Sequence, residues 1–420
     1  MDANRKLKTL PTGNLIANLS VDHRLSWSDT ERATVEADVV EEDRTTRTTS
    51  LRGNIVVPLW RRIDEDGERQ FGPGEVSLSL GGNLLNSSIG EGGGLDLDLN
   101  WTPIEALRLN AGYATANAAP TTDQLYAPLV YGDPVSVFDL VTGQAVQVTP
   151  LLGGNPDLRA QRSDRLSASV SAGPLTKTGL FLNLSYGRNE TQDGVGQLSE
   201  PTPALEAAFP ERFIRDAEGR LAFIDRRPLN LASATSEDLS TSVSLALPLP
   251  RGEDEEPQSL QINLNYAYRL TDRSRFGPGA PVLDRIAGVG GGLPRQTLFL
   301  NAETRRGRWS LSTSARWQAG YRSLRGDATG PDDLVVDGFA DADFRLGVIL
   351  LPSELRAQGP TAGPRSGCLS GGGQITVEVQ NLFDARPDAR LGDGRPPPGY
   401  GRDDHDPIGR QFRIQFAKRF

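Results

Sequence analysis

A period of two recurs from one end of the 420-residue chain to the other, and it limits the fold more than any other feature. Between 260 and 270, Leu260, Ile262, Leu264, Tyr266, Tyr268 and Leu270 alternate with Gln261, Asn263, Asn265 and Arg269. Leu95, Leu97, Leu99 and Trp101 oppose Asp96, Asp98 and Asn100 in the same way. Near the end, Ile375, Val377 and Val379 oppose Gln374, Thr376, Glu378 and Gln380. The last segment sets Phe412, Ile414, Phe416 and Phe420 against Arg413, Gln415 and Arg419. Successive side chains of a strand point to opposite faces, so each segment predicts a strand with one apolar and one polar face. An amphipathic helix would need apolar positions three and four apart, which these segments lack. Large hydrocarbon side chains backed by guanidinium, carboxylate and amide groups suit a wall between hydrocarbon and water.

Composition alone does not decide between such a wall and a soluble, loop-rich protein. The hydrophobic fraction is 37%, mean hydropathy is −0.40, and no apolar run approaches the ~18 residues of a membrane helix. A membrane barrel gives the same values, because only alternate residues meet lipid. Forty-six glycines and 29 prolines fit many strand connections. A net charge of −9 argues against nucleic acid as a partner. The single cysteine, Cys368, excludes an intramolecular disulfide and a cysteine metal cluster. His23 and His405 have no neighbours at ligand spacing, and the Asp403, Asp404 and Asp406 cluster reads as a solvated acidic loop beside Arg402. The glycine run 288–292 lacks the Lys-Ser/Thr of a phosphate loop and reads as a flexible loop. With no serine–histidine pairing at hand, no enzymatic activity, cofactor or metal is expected.

About fifteen strands are predicted along the chain. The first are 13–27, 33–39 and 51–60, separated by a turn at 28–30 and a polar stretch at 41–49. Tight connections alternate with long ones at 116–162, 191–236, 271–294, 319–335 and 384–408, as in barrels with short turns on one rim and long loops on the other. Arg24, Arg52, Asp96, Asp98, Arg108, Arg165, Arg269, Asp341, Asp343 and Arg345 fall on the polar face and would line a lumen. Segments 209–216 and 225–230 are arginine-rich; they could meet lipopolysaccharide phosphates or an anionic ligand, or carry solvated loop charge.

The run Val-Glu-Val-Gln-Asn-Leu-Phe-Asp (377–384), a polar loop, Asp-Pro-Ile-Gly-Arg (406–410) and an alternating strand ending in Phe together resemble the C-terminus of TonB-dependent outer-membrane receptors. Ala-Pro-Thr-Thr (119–122), Gln-Leu-Tyr-Ala-Pro (124–128) and Gly-Gly-Asn-Pro-Asp-Leu (153–158) extend the resemblance, with Gln124 and Gln161 where the family more often has acidic residues. The resemblance implies an all-β fold: a transmembrane antiparallel β-barrel in the cell outer membrane. About 15 of a probable 22 strands would be present, residues 1–420 forming the C-terminal part of the barrel with the plug domain absent. Met1-Asp-Ala-Asn-Arg-Lys carries no basic-then-apolar export segment, so a longer parent chain is expected.

The implied function is energised uptake of a scarce ligand such as a ferric siderophore, cobalamin or a glycan. A passive porin-like channel is the alternative, and a soluble β-rich adhesin or structural protein a third class. Implied partners are outer-membrane lipid and lipopolysaccharide, a small-molecule ligand, and the TonB complex only through a plug absent from this chain. The barrel assembly machinery would read Phe412, Ile414, Phe416 and Phe420, and Tyr126 and Tyr131 are the candidate ligand contacts in the long loops.

Overall fold

The computed structural model describes residues 2–34, 37–61, 73–139, 144–177, 179–198, 203–250, 258–277, 280–326, 328–350, 373–397 and 409–418. Elements are numbered in chain order. A single antiparallel wall begins with β1 (Asp2–Leu10), β2 (Gly13–Thr34), β3 (Ala37–Trp60), β4 (Glu75–Ser87), β5 (Gly90–Ile104) and β6 (Leu107–Ala118). It continues with β10 (Gln161–Ala172), β11 (Leu180–Gly196), β14 (Leu229–Pro248) and β15 (Ser259–Arg275). It ends with β17 (Gln296–Arg306), β18 (Trp309–Gln318), β21 (Phe339–Ile349), β22 (Gly373–Gln380) and β24 (Gln411–Lys418). Each wall strand pairs with the next in this order.

The register carries the sequence alternation across the whole sheet. One row runs Leu99, Ala111, Ala168, Tyr186, Leu239, Tyr268 on the apolar face. The adjacent row runs Asp98, Gly112, Ser167, Gly187, Asp238, Arg269 on the other. All ten charged residues assigned to the polar face by sequence lie on it by register. Phe181 and Phe299 are aromatic exceptions there. In β15 the apolar face spans Leu260 to Tyr268, with Thr271 and Glu237 paired just beyond it. Nine residues at ~3.3 Å each, tilted by ~40°, cover about 23 Å, close to the ~25 Å apolar belt of outer-membrane barrels.

Among the described residues, the count of fifteen wall strands agrees with the sequence expectation through two compensating differences. β1 was not foreseen, and the expected strands 13–27, 33–39 and 51–60 are two strands, not three. The expected turn at 28–30 and loop at 41–49 are extended backbone within a hairpin of 22- and 24-residue strands, with Thr34 opposite Ala37 near its tip. Beyond a bilayer both faces of a hairpin meet water, so hydrophobic alternation vanishes while β-branched residues such as Thr45, Thr46, Thr48 and Thr49 still favour strand.

Connections at 11–12, 105–106 and 307–308 are tight and lie on one rim. The long connections meet on the other rim and are themselves structured. The first contains α1 (Thr122–Tyr126), β7 (Val130–Tyr131), β8 (Val135–Asp139) and β9 (Gln144–Leu152). The second contains α2 (Pro203–Ala208), β12 (Phe213–Arg215) and β13 (Leu221–Asp225). The third contains β16 (Val282–Asp284), which pairs with β15. A small sheet runs β12-β13-β9-β7, with β8 also on β9. On the same rim, β19 (Tyr321–Ser323), β20 (Leu334–Val336) and β23 (Ala389–Leu391) form a three-stranded sheet.

Candidate functional site: the loop platform

The hydrophobic core of the described residues lies in these loops and not in the wall. Val148 from the first long connection, Leu198, Leu205, Phe213, Leu221 and Ile224 from the second, and Phe276 and Leu283 from the third are all buried together. Phe209 and Phe276 meet edge to face at 6.0 Å. Three connections that the sequence shows as separate polar excursions are therefore one packed body.

Arg215 locks that body. Its Nε and Nη2 donate to Glu206 at 2.6 and 2.7 Å, its Nη1 and Nη2 to Asp139 at 2.8 and 3.0 Å, and Nη1 also to the Gly219 carbonyl at 2.8 Å. The Asp139 side chain is 2% exposed. Hydrogen bonds to the carboxylates of Glu206 and Asp139 raise the Arg215 pKa well above its ordinary value. Nearby, burial pushes the Asp225 carboxyl up, but hydrogen bonds from Arg227 and the charge of Arg212 outweigh it and leave it below its usual range. The arginines of 209–216 and 225–230 thus correct the sequence expectation: Arg212, Arg215 and Arg227 serve carboxylates inside the platform.

The two loop motifs form a knot under the platform. Thr121 and Gln124 make a reciprocal capping box at the start of α1, a role glutamine fills as well as glutamate. Gly154 N–H donates to the Ala127 carbonyl and Asn155 N–H to the Gln124 carbonyl, both at 2.7 Å. A Cβ on Gly154 would stand 2.5 Å from the backbone of Leu125 and Tyr126, so the close approach requires glycine. Asn155 Nδ2 then donates to the Pro228 carbonyl at 2.8 Å, and the Asn230 Oδ1 accepts from Arg159 N–H at 2.8 Å. These motif residues build the loop.

Tyr131 and Tyr126 both sit on this platform. Tyr131 is 68% exposed, with its ring 6.0 Å from that of Phe223 at 64°. Tyr131 lies opposite Leu151, and Phe223 opposite Thr149 and Ile214, so Tyr131, Phe223 and Ile214 share the outer face of the small sheet. Tyr126 stands apart at the end of α1, 43% exposed. Sequence reading missed Phe223 and Ile214 because strands of three to five residues are too short to show a period.

Phe412, Ile414 and Phe416 point outward from β24, each more than 60% exposed. Phe420, His405, Cys368, Asp403, Asp404 and Asp406 lie outside the described residues. His23 is satisfied across strands, its Nδ1 2.9 Å from Thr49 Oγ1. The glycine run also departs from expectation: it is docked. Leu324 N–H donates to the Gly288 carbonyl at 2.8 Å, and a Cβ on Gly292 would lie 2.3 Å from the Arg322 carbonyl oxygen. The run joins the large loop body to the β19–β20–β23 sheet.

Comparison with known proteins agrees with this architecture. The sequence matches the family described as TonB dependent receptor-like, beta-barrel, over residues 18–382. The fold is similar to that of the siderophore receptor PirA from Pseudomonas aeruginosa, at 15% identity and a TM-score of 0.53, covering 100% of this chain and 56% of that one. It is also similar to the RagAB peptide transporter, at 11% identity and a TM-score of 0.54, covering 99% of this chain and 54% of that one. The chain thus spans a little over half the length of these structures. No curated protein sequence matches it. With two-faced strands in continuous register, a structured loop rim and a family match across most of its length, the chain belongs to the TonB-dependent receptor β-barrel family of the outer membrane.

Proposed function

We propose that this chain supplies the C-terminal part of the barrel and the ligand-facing loop platform of a receptor for energised uptake of a scarce ligand, with ferric siderophores the leading class. The observation that carries this reading is the loop rim: three long connections pack into one body that presents an aromatic face. A simple diffusion pore has no need of such a platform. Tyr131 and Phe223 contact ligand, with Tyr126 at the margin. Beneath them the polar wall face would line part of a lumen able to hold a plug through charged and amide groups. β1 and β24 each have one paired neighbour among the described residues, and an open edge is untenable in hydrocarbon. About seven further strands, the difference from the ~22 of plugged transporters, would close the wall. The outward Phe412, Ile414 and Phe416, with Phe420, address the assembly machinery, and TonB acts through the plug.

The test is accumulation of radiolabelled iron from a panel of ferric siderophores in cells expressing the gene locus, with and without TonB. Uptake that requires TonB and falls in Tyr131→Ala and Phe223→Ala variants supports the reading. Entry that is independent of TonB identifies a passive channel instead. Normal TonB-dependent uptake in both variants removes the aromatic face from the site.

A further inference from the structure

We propose that the aromatic face of the loop platform takes a ferric chelate with no net negative charge, of the trihydroxamate type, and discriminates against anionic chelates such as ferric tricatecholates. The proposal rests on the uptake reading above and narrows its ligand class.

The two connections that build this face, 116–162 and 191–236, contain eleven carboxylates against seven arginines and no lysine or histidine, a net charge of −4. Six of the seven arginines are already bound to carboxylates. Those of Arg212, Arg215 and Arg227 lie inside the platform. Arg159 pairs with Asp193 and Arg162 with Asp164. Arg220 pairs with Asp216 at 2.9 Å and with Glu218 at 3.6 Å. The seventh, Arg226, is half-buried, with its Nε shielded from solvent. An anion arriving at the face would have to take an arginine from the carboxylate that holds it.

The border of the face is acidic. Asp133, exposed, follows Tyr131 by two positions, and Asp216 and Glu218 occupy the turn joining the strands of Ile214 and Phe223. Three carboxylates with Arg220 as the cation of that turn leave the border at −2. The ring of Tyr131, set at 64° to that of Phe223, adds the negative face of its π-system. Charge then separates the chelates. Three singly charged hydroxamates cancel the charge of ferric iron, whereas three doubly charged catecholates leave an excess of three negative charges. At one Debye length, about 8 Å, that excess facing the acidic border weakens binding roughly fivefold in water at physiological ionic strength. An uncharged chelate meets no such repulsion and gains from apolar contact with Tyr131, Phe223 and Ile214.

The test compares two probes in cells that lack other siderophore receptors and express the gene locus. One is a radiolabelled ferric trihydroxamate of zero net charge, the other a ferric tricatecholate with three negative charges. The trihydroxamate should half-saturate TonB-dependent uptake at a concentration about fivefold lower or better. Asp133→Lys combined with Glu218→Lys reverses the sign of the border and should remove or invert that preference. Continued trihydroxamate uptake shows that this variant is folded; if it imports neither probe, the neutralising pair Asp133→Asn with Glu218→Gln is read instead and should shrink the preference. Equal or better uptake of the tricatecholate by the native protein overturns the inference while leaving the transport reading standing. So does a preference that survives both sets of charge changes, because its cause then lies elsewhere. TonB-dependent uptake of neither probe by the native protein overturns the siderophore reading itself, and this inference with it.

Discussion

Replacing Arg215 by methionine should release the loop platform while leaving the wall intact. The arginine uses all five of its N–H donors: four go to the carboxylates of Asp139 and Glu206 and one to the Gly219 carbonyl. Glu206 is 21% exposed and can be rehydrated by a small side-chain movement, so its loss is minor. Asp139 is 2% exposed and would lose both hydrogen bonds and the charge of Arg215 inside the platform; breaking a buried pair costs about 3–5 kcal/mol. Local opening of the platform should become roughly a hundredfold or more easier, since each ~1.4 kcal/mol is a factor of ten. Hydrogen exchange read by mass spectrometry resolves this: amides of β9, β12 and β13 should exchange faster, and those of β6 and β10 should not change. The double variant Arg215→Met with Asp139→Leu removes the buried carboxylate as well and should recover about 2 kcal/mol or more of the loss. Native-like protection in the single variant, or no recovery in the double, would refute the claim that one buried ion pair holds the platform.

Three further outcomes follow from the geometry. Leu264→Arg, at the middle of the apolar belt, should destabilise the reconstituted wall by about 2–4 kcal/mol in urea titration, whereas Asn263→Arg on the lumen face should change it little. Equal effects would mean the faces are assigned wrongly. Gly154→Ala should cost about 1–3 kcal/mol and expose residues 119–160 to limited proteolysis, because the added methyl meets the backbone of α1. Unchanged cleavage would show that the knot has room. Acid should loosen the platform late. Hydrogen bonds from the Arg220 backbone hold Asp216 below its ordinary range, and Arg227 and Arg212 do the same for Asp225 against its burial. A depressed carboxyl contributes stability that is complete above its unfolded pKa and is lost as pH falls through the folded value. Protection of residues 213–228 should stay level from neutrality to about pH 5 and decline only below ~4; a decline near pH 6 would contradict these assignments.

Alternation along the chain was enough to assign the two faces of the wall. Wherever strand crosses hydrocarbon, one side chain in two must be apolar, so parity alone placed Leu264 outward and Asn263 inward, and gave all ten lumen charges correctly. The same parity read β22 and β24, and the motif at 119–158 marked the long loop that carries the platform. The β2–β3 hairpin shows where this reasoning stops: past the membrane both faces are wet, alternation disappears, and strand looks like turn and loop. Everything about the platform depended on tertiary structure. Its strands are two to nine residues long, its core draws on three separated segments, and Asp139 meets Arg215 across 76 positions. A period cannot register in three residues, and no local pattern reveals which distant carboxylate an arginine will meet. The pairing of Tyr131 with Phe223 and the glycine run docked on Arg322 were decided in the same way, by packing between loops.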